Sequence, residues 1–345
     1  MTHQQRILNT ISRTNMDKFP VQFDFTPTAL DRYAEYRHLS HSDSSMLEVM
    51  DNHIMFAYLN DGMGKLKTRA FKERYVYDEW QVRWDMAQEG TFFDTHPLED
   101  IENYSTYVFP SSEDPELLDY ANGIIKKYSN EYLVASYQAL SMFERAYSLR
   151  GFENFLMDLA CEPEFANELL DKITAYQVRV AQRYVQAGVN AGRIGDDYGS
   201  QRGLMMSPNM WREIIKPHIA QVISVYKQAG LPVIFHSCGD IHEIIPDFIE
   251  IGVDILHPLQ PESINIEQVA EEFGDKIVFY GGISNQKVLP YGTPEDVKYS
   301  VKNLFDIFRR NGKGFILAPS NGIGSDVPPE NIQAMLDAAE EYRYF

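Results

Sequence analysis

Residues 233–258, VIFHSCGDIHEIIPDFIEIGVDILHP, contain two short apolar runs separated by one amphipathic segment. Residues 232–235 and 253–256 are mostly apolar and β-branched, as strands buried on both faces of a sheet are. Residues 241–251 carry apolar side chains at helical spacing. A strand, a helix and a second strand in this order predict a βαβ unit with parallel strands.

The same alternation continues to residue 342. It predicts strands at 276–280 and 314–317 and helices at 266–273, 294–310 and 329–342. A further helix begins at Ser207-Pro208, where a capping serine precedes a proline in the first helical position, and Gly230 ends it. Earlier strand candidates lie at 21–25, 133–136 and 192–196.

An eight-stranded parallel barrel accommodates these strands better than an open sheet does. We therefore predict an α/β fold, a single (β/α)8 TIM-type barrel that spans residues 1–345, with an N-terminal extension. Residues 60–110, rich in Tyr, Trp, Asp and Glu, do not follow the βα pattern, and we expect an inserted loop region there that bears a hairpin.

Composition excludes several classes of function. The chain has 31 basic and 50 acidic residues, a net charge of −19, which argues against nucleic acid as a partner because phosphate backbones require clustered cations. The N-terminus lacks the apolar core of a signal peptide, and no long apolar run predicts a membrane span. We expect a cytoplasmic protein, in which each of the two cysteines is free to be either a small buried hydrophobic residue or a thiolate ligand.

Polar side chains recur where the predicted strands end. Because the carboxyl ends of barrel strands converge on one face, these residues predict a common pocket. The alternative is that strand ends are turns, which favour Asp, Asn, Ser and Gly for backbone reasons alone. The residues are Asp24, Tyr137, Gln138, Asp196, Asp197, His236, Cys238, His257, Gln260, Gly281, Gly282, Asn285, Ser320 and Asn321.

His236 and Cys238 lie one residue apart on an extended segment, so both side chains can meet one metal ion. A catalytic zinc ion takes three protein ligands and keeps one open position. Cys161 lies at an expected helix boundary, away from the strand ends. The candidates for the third ligand are His257, Asp196 or Asp197, and Asn321.

Two of these candidates have a second interpretation. His257 could be a hydrogen-bonded histidine that lines the pocket without binding metal. Asp196 and Asp197 are adjacent, and since neighbours on a strand point in opposite directions, only one should face the barrel mouth, where it could act as an acid or a base. The other would cap a turn or meet a cation such as Arg193.

The chain resembles the uroporphyrinogen decarboxylase superfamily in four segments that occur in the same order. They are LVASYQALSMFERAYSLRGFENFLMDLACEPE, GDDYGSQRGLMMSPNMWREIIKP, VIFHSCGDIHEIIPDFIEIGVDILHP and FILAPSNGIGSDVPPENI. The resemblance covers residues 130–335 and implies a (β/α)8 barrel with a cleft at the carboxyl face.

The superfamily holds two main chemistries. Porphyrinogen decarboxylases carry an N-terminal loop similar to PVWxMRQAGR, whose arginines pair with substrate carboxylates, whereas residues 20–27 here are PVQFDFTP and the next arginine is Arg32. A histidine that these enzymes carry before Gly-Ile falls at Asn321. Asp61 is the candidate match to an aspartate that follows their second barrel strand.

The other branch comprises zinc-dependent methyltransferases, which resemble this chain in the H-x-C-G stretch at His236, Cys238 and Gly239. Their third ligand, a cysteine, falls at Asn321. This resemblance implies transfer of a methyl group from a methylated corrinoid (cobalamin or another cobamide), free or on a corrinoid protein, to a small thiol or similar acceptor. A homodimer is a candidate assembly, although the sequence does not determine the oligomeric state.

On this reading His236 and Cys238 bind zinc, and Asp197, His257 and Asn321 are catalytic. Residues expected to bind substrate or corrinoid are Asp24, Tyr137, Gln138, Gln260, Gly281 and Gly282. Two alternatives remain open: a decarboxylase of tetrapyrrole metabolism, and a non-catalytic protein that binds a corrinoid or tetrapyrrole.

Overall fold

The structure is a computed structural model, which describes residues 1–39, 43–60, 74–87 and 93–345. Asp61 lies outside the described residues. The strands are β1 (Ile54–Tyr58), β2 (Tyr75–Tyr77), β3 (Arg83–Asp85), β4 (Phe93–Thr95), β5 (Leu133–Tyr137), β6 (Gly192–Gly195), β7 (Gly199–Ser200), β8 (Gly203–Leu204), β9 (Val233–His236), β10 (Ile255–Leu259), β11 (Val278–Ile283) and β12 (Phe315–Pro319).

The α-helices alternate with the parallel strands in the second half of the chain. They are His3–Ser12, Pro27–Tyr36, Asp43–Met50, Asp119–Tyr128, Phe143–Arg150, Phe152–Cys161, Pro163–Ala187, Pro208–Met210, Lys216–Gln228, Ile245–Glu250, Ile266–Phe273, Val288–Tyr291, Pro294–Arg310 and Pro329–Tyr342. Short 3-10 helices lie at Ile101–Ser105 and His242–Ile244, and a π-helical turn lies at Trp211–Ile215.

Eight parallel segments surround one axis, and the predicted α/β barrel is confirmed. Strands β12, β11, β10, β9 and β6 form a sheet in that order, and β1 pairs with β5. Bridges at Ala135–Ala191 and Gln138–Ile194 join β5 to β6. The first of the eight segments in chain order, which we call the first segment, contains Val21 and pairs with β12 through a parallel bridge to Leu317.

The seam between the first segment and β1 is held by side chains. The Gln22 Oε1 atom accepts hydrogen bonds from the backbone N–H of His53 at 3.2 Å and of Ile54 at 3.0 Å. Asn52 Oδ1 accepts from Phe23 N at 2.7 Å, and Asn52 Nδ2 donates to Phe23 O at 3.0 Å. These two amide side chains replace a backbone ladder and close the ring.

The N-terminal extension closes the amino end of the barrel. Ile7 of the helix His3–Ser12 is fully buried and packs with the apolar interior of the barrel. The interior residues are Ile54, Leu133, Ala135, Ala191, Ile234, Ile255, Val278, Tyr280, Ile316 and Ala318. The opposite, carboxyl end of the strands is therefore the end at which polar groups can meet solvent.

The inserted region is confirmed. Its described residues include an antiparallel sheet in the order β2-β3-β4, anchored by the buried Trp84. Cys161 is exposed at the end of a helix, as expected. Among the described helices, none combines the length and the apolar character that crossing a membrane requires.

Some predicted boundaries are wrong. The strand predicted at 253–256 runs from Ile255 to Leu259 and so includes His257, because its pairing with β9 continues through His236. The helix predicted at 241–251 consists of a 3-10 turn and the α-helix Ile245–Glu250. Strand β1 was not predicted.

Candidate active site

Three neighbouring strands bring their polar ends together. Asp197 follows β6, His236 ends β9 and precedes Cys238 by two residues, and His257 lies in β10. The backbone pairing continues past the regular strands, since Asp196 N donates to His236 O at 2.9 Å and Ser237 N donates to His257 O at 2.8 Å. This continued register fixes the three loops at one height on the barrel mouth.

Asp197, His236 and Cys238 form what we term the donor trio. One potential ligand atom from each lies within 4.8 Å of the other two. His236 Nε2 is 3.5 Å from Asp197 Oδ1 and 3.5 Å from Cys238 Sγ. Oxygen, nitrogen and sulfur donors of these types all bind zinc, and three ligands leave a fourth tetrahedral position open. The donor trio therefore fits a catalytic zinc ion.

Electrostatics also favour a cation here. Burial, followed by the charges of Asp197 and Glu144, raises the pKa of the Cys238 thiol well above its usual value. Burial, followed by Asp197 and Asp196, raises the pKa of the Glu144 carboxyl well above its usual value. Several acidic groups thus crowd one buried place, and a bound cation would stabilise their ionised forms.

A second group of potential ligands, His3, Asp51 and His53, lies at the amino end of the barrel. Its donors are already engaged, since His3 Nε2 is 2.8 Å from Asp51 Oδ1 and Arg6 Nη1 is 3.1 Å from His53 Nε2. Arg343 Nη1 also contacts Asp51 Oδ2 at 2.7 Å. Positive guanidinium groups next to these donors oppose a metal ion, so we interpret this group as an ion-pair network.

His257, in the neighbouring strand β10, contacts His236 of the donor trio. Its Nδ1 lies 2.7 Å from His236 Nδ1, and its ring packs against that of Tyr280 at an interplanar angle of 43° and a centroid distance of 4.2 Å. Burial lowers the pKa of His257 well below its usual value, so the ring is neutral. If His236 Nε2 binds a metal, the proton between the rings belongs to His236 Nδ1, and His257 accepts it.

We expect His257→Phe to weaken zinc binding by about 10–100-fold, the usual effect of losing the partner that orients a ligand histidine. Phenylalanine keeps the aromatic contact with Tyr280 but cannot accept the His236 proton. Competition with a chromophoric chelator measures the affinity. His242→Phe is the control, because His242 begins the 3-10 helix that follows the Cys238 turn and pairs with Glu272. Equal zinc affinity in both variants would contradict the positioning role.

Asp196 and Asp197 face opposite ways. The carboxylate of Asp196 is fully buried and accepts hydrogen bonds from the N–H groups of Met142 at 3.2 Å, Phe143 at 2.8 Å and Glu144 at 2.9 Å. Burial raises its pKa to about 6, although these N–H groups oppose the shift. Asp196 therefore caps the helix that begins at Phe143, and Asp197 faces the mouth, as the alternation along a strand predicts.

Other predicted site residues lie around the inside of the mouth. The Tyr137 ring is 4.5 Å from the Tyr58 ring, centroid to centroid. Asp24 Oδ2 accepts a hydrogen bond from the Tyr280 hydroxyl at 3.4 Å. Gln260 Oε1 accepts from Gly239 N at 3.0 Å, so Gln260 holds the loop that carries Cys238.

Gln138 was expected to bind substrate, and the structure does not bring it to the mouth. Its Nε2 donates to Gln177 Oε1 at 2.7 Å and to Gln177 O at 3.0 Å, while the Tyr226 hydroxyl donates to its Oε1. Gln138 lies beyond the end of β5, where the side chain turns outward, and its amide is buried between the barrel and the helices. The structure therefore gives no support to that expectation, because all of the polar atoms of this side chain are already satisfied.

Asn321, the expected counterpart of the third zinc ligand, is exposed and lies outside the donor trio. Its Oδ1 accepts a hydrogen bond from Gly322 N at 2.8 Å.

Close packing explains why positions 281 and 282 are glycine. A Cβ on Gly281 would lie 2.6 Å from Leu259 N, and one on Gly282 would lie 2.9 Å from Leu304 Cδ2. These glycines allow close packing without any need for a ligand.

Two residues of the site were not predicted, Glu144 and Arg193. Glu144 follows the cap made by Asp196, and nothing in its local sequence distinguishes it from a surface glutamate. Arg193 had a sequence signal, because it is a charged residue within β6, whose four residues are all buried. A charge in a strand of this kind usually needs a functional or structural partner.

The amino-acid sequence is similar to those of known proteins. The sequence profile described as uroporphyrinogen decarboxylase (URO-D) matches residues 83–342. Uroporphyrinogen decarboxylase of Chlorobaculum parvum is 28% identical over 184 residues, 52% of this chain and 50% of that protein. Methylcobamide:CoM methyltransferase MtbA of Methanosarcina acetivorans is 23% identical over 252 residues, 72% of this chain and 69% of that protein. The chain spans about half the length of the decarboxylase it matches.

A similar fold occurs among solved structures. A methyltransferase from Methanosarcina mazei superposes with a TM-score of 0.73 at 17% identity, and the match covers 99% of both chains. This likeness shows a shared fold over nearly the whole chain.

Proposed function

The chain belongs to the uroporphyrinogen decarboxylase (URO-D) family, and on that premise we propose that it is a methyltransferase that moves a methyl group from a methylated corrinoid to a thiol. The observation that carries the proposal is the donor trio. Asp197, His236 and Cys238 come from two adjacent strand ends and offer three different zinc-binding atoms within 4.8 Å of one another. Such a set at a barrel mouth is typical of a catalytic metal site.

The residues would divide the work as follows. Asp197 and Cys238 supply anionic ligands, and His236 supplies a neutral nitrogen that His257 orients. A thiol that coordinates zinc loses its proton near neutral pH and so becomes a nucleophile. The side chains of His236 and Asp197 are 16% and 26% exposed, which lets a substrate reach them from the mouth.

The transfer balances without any further reactant. The thiol proton leaves to solvent, and the sulfur lone pair forms the new S–C bond to the methyl carbon. The Co–C bond of the corrinoid breaks, and both of its electrons stay on cobalt. The products are a thioether and the reduced corrinoid, so the methyl acceptor and the corrinoid are both substrates of the protein.

Decarboxylation of a polycarboxylate is less well supported by this mouth. Such a substrate needs several cationic partners, whereas the described residues here place Arg193 together with the acidic Asp24, Glu144 and Asp197 near the opening. The residues 20–27 that correspond to the arginine-bearing loop of decarboxylases carry no arginine. Acidic side chains in this position would repel substrate carboxylates.

We expect purified protein to contain about one zinc ion per chain and to methylate a small thiol with methylcobalamin as donor. Metal analysis gives the stoichiometry, and the cobalt absorption spectrum follows the loss of the methyl group. Removing zinc with a chelator should abolish the transfer, and adding zinc back should restore it. Protein that holds no zinc and releases carbon dioxide from uroporphyrinogen would overturn the proposal in favour of decarboxylation.

A further inference from the structure

The first helix, His3–Ser12, is attached to the amino end of the barrel by one histidine. Both ring nitrogens of His3 face a carboxylate: Nδ1 lies 2.8 Å from Glu131 Oε1, and Nε2 lies 2.8 Å from Asp51 Oδ1. The ring also stacks on Tyr132, with a centroid distance of 4.7 Å and an interplanar angle of 13°. One side chain therefore joins this helix to two separate loops, one before β1 and one before β5.

The two contacts of His3 require a protonated ring. A neutral imidazole has one N–H donor and one bare nitrogen, whereas the imidazolium has two N–H donors. In the neutral form, a nitrogen lone pair would face a carboxylate oxygen at 2.8 Å, and that contact is repulsive. The geometry therefore corresponds to the imidazolium, which donates one charge-assisted hydrogen bond to each carboxylate.

The groups around His3 leave the proton on its ring. The His53 ring lies 4.8 Å from the His3 ring, centroid to centroid, and burial lowers the pKa of His53 to about 3, so His53 is neutral. Burial opposes ionisation of Asp51, but the hydrogen bond from His3 and the nearby cations outweigh it and hold the pKa of Asp51 well below its usual value. The other titratable or charged side chains that contact His3, Asp51 or His53 are Glu131, Tyr132, Lys18, Arg343 and Arg6.

The first helix depends on such contacts for its stability. It has ten residues, and a helix of this length is marginal in water by itself. Ile7 and Thr10 are fully buried against the barrel, whereas His3 makes its contacts in the first turn. Loss of the His3 hydrogen bonds would therefore loosen the helix from its first turn onward.

We propose that His3 is a pH-dependent latch, which holds the first helix on the amino end of the barrel while its ring is protonated and loosens that helix when the ring loses its proton. The neutral ring keeps one hydrogen bond at most and turns a lone pair toward the other carboxylate. The latch lies at the end of the barrel opposite to the donor trio, and it does not depend on the proposed function.

The loosening occurs as the pH rises above neutrality. Burial lowers the pKa of His3, but the hydrogen bonds to Asp51 and Glu131 outweigh this effect, and the pKa lies above the usual value for histidine. The stabilisation is therefore fully present below about pH 6.5, where a histidine in the unfolded chain also begins to be protonated. It is lost as the pH rises through the higher pKa of the folded state.

Hydrogen exchange followed by mass spectrometry tests the latch in the whole chain. We expect the protection factors of residues 3–12 to fall about tenfold between about pH 6 and pH 9, the loss that one charge-assisted hydrogen bond implies. The helix Pro294–Arg310 contains no histidine, so it is the internal reference and should keep its protection. His3→Gln should give low protection at every pH, whereas His3→Lys, which stays charged to about pH 10, should remove the fall.

His38→Gln is the matched control, because His38 is exposed on the turn after the helix Pro27–Tyr36, and this variant should follow the wild type. An unchanged ratio of protection between the two helices of the wild type across this pH range would overturn the latch. A fall of equal size in His3→Gln would also overturn it, because another group would then be titrating. The wild-type ratio decides even where a variant fails to fold. Since the measurement involves neither zinc nor turnover, failure of the proposed function would leave its outcome unchanged.

Discussion

Cys238→Ala is expected to reduce bound zinc from about one ion per chain to below about 0.1 and to lower methyl transfer by about 10³-fold or more. Only Cys238 supplies sulfur to the donor trio, and alanine leaves two protein ligands where a catalytic zinc site needs three. The loss of a metal-activated nucleophile costs several kcal/mol of transition-state stabilisation, and each 1.4 kcal/mol or so is a factor of ten in rate.

Cys161→Ser provides the matched control. Cys161 is the other cysteine of the sequence, it is exposed, and it ends a helix away from the mouth. We expect this variant to keep both its zinc and its activity. Since Cys238 is small, its loss should leave the fold intact, which circular dichroism can verify. Full zinc occupancy in Cys238→Ala would show that the donor trio is not the zinc site.

Gly239→Ala is expected to lower the free energy of unfolding by about 4 kcal/mol or more, which is exceptional for a single methyl group. The added Cβ would lie 2.2 Å from the Gly199 carbonyl carbon and 2.6 Å from Ser200 N. Both contacts are to backbone atoms, so no side-chain rotation can relieve them. The loop after β9 must therefore move away from the loop after β6, and this movement separates Cys238 from Asp197.

Gly230→Ala isolates the steric part of that effect. Both glycines have a positive φ, +84° at Gly239 and +72° at Gly230, but a Cβ on Gly230 meets no atom within 4 Å. Gly230→Ala should therefore cost only the strain of a left-handed residue, about 1–2 kcal/mol. Urea unfolding of both variants, together with their zinc content, measures the difference. Similar losses in the two would mean that the loops do not pack as closely as described.

Local signals explain which parts of the fold could be predicted. The helices Ile266–Phe273 and Pro294–Arg310 have the predicted bounds, because Asn265 and Thr293 cap their first turns and both signals stand in the sequence. Strand β1 has no capping residue of this kind, and its apolar run, residues 54–59 between Asn52 and Asn60, is a strand signal that our prediction did not use. Its partner β5 begins at Leu133, so the pairing that makes residues 54–58 a strand comes from a distant part of the chain.

In the candidate site, too, local sequence predicts some features, while others depend on contacts between distant parts of the chain. The H-x-C spacing and the alternation of Asp196 and Asp197 are local, and they predict which side chains can face the mouth. The outward turn of Gln138 depends on Gln177 and Tyr226, which belong to other elements. The contact between His236 and His257 likewise requires the register of β9 against β10, which only the folded barrel supplies.

The side-chain seam between the first segment and β1 makes the closure of the barrel unusually sensitive to sequence change. Backbone hydrogen bonds between strands survive almost any substitution, because every residue except proline carries them. The hydrogen bonds that Gln22 accepts from the backbone N–H groups of His53 and Ile54 exist only while residue 22 is an amide of the right length. Substitutions at Gln22 and Asn52 during evolution would therefore break the contact between the first segment and β1 and open the barrel there. Substitutions along the other strand pairs would leave their backbone hydrogen bonds, and so the barrel, intact.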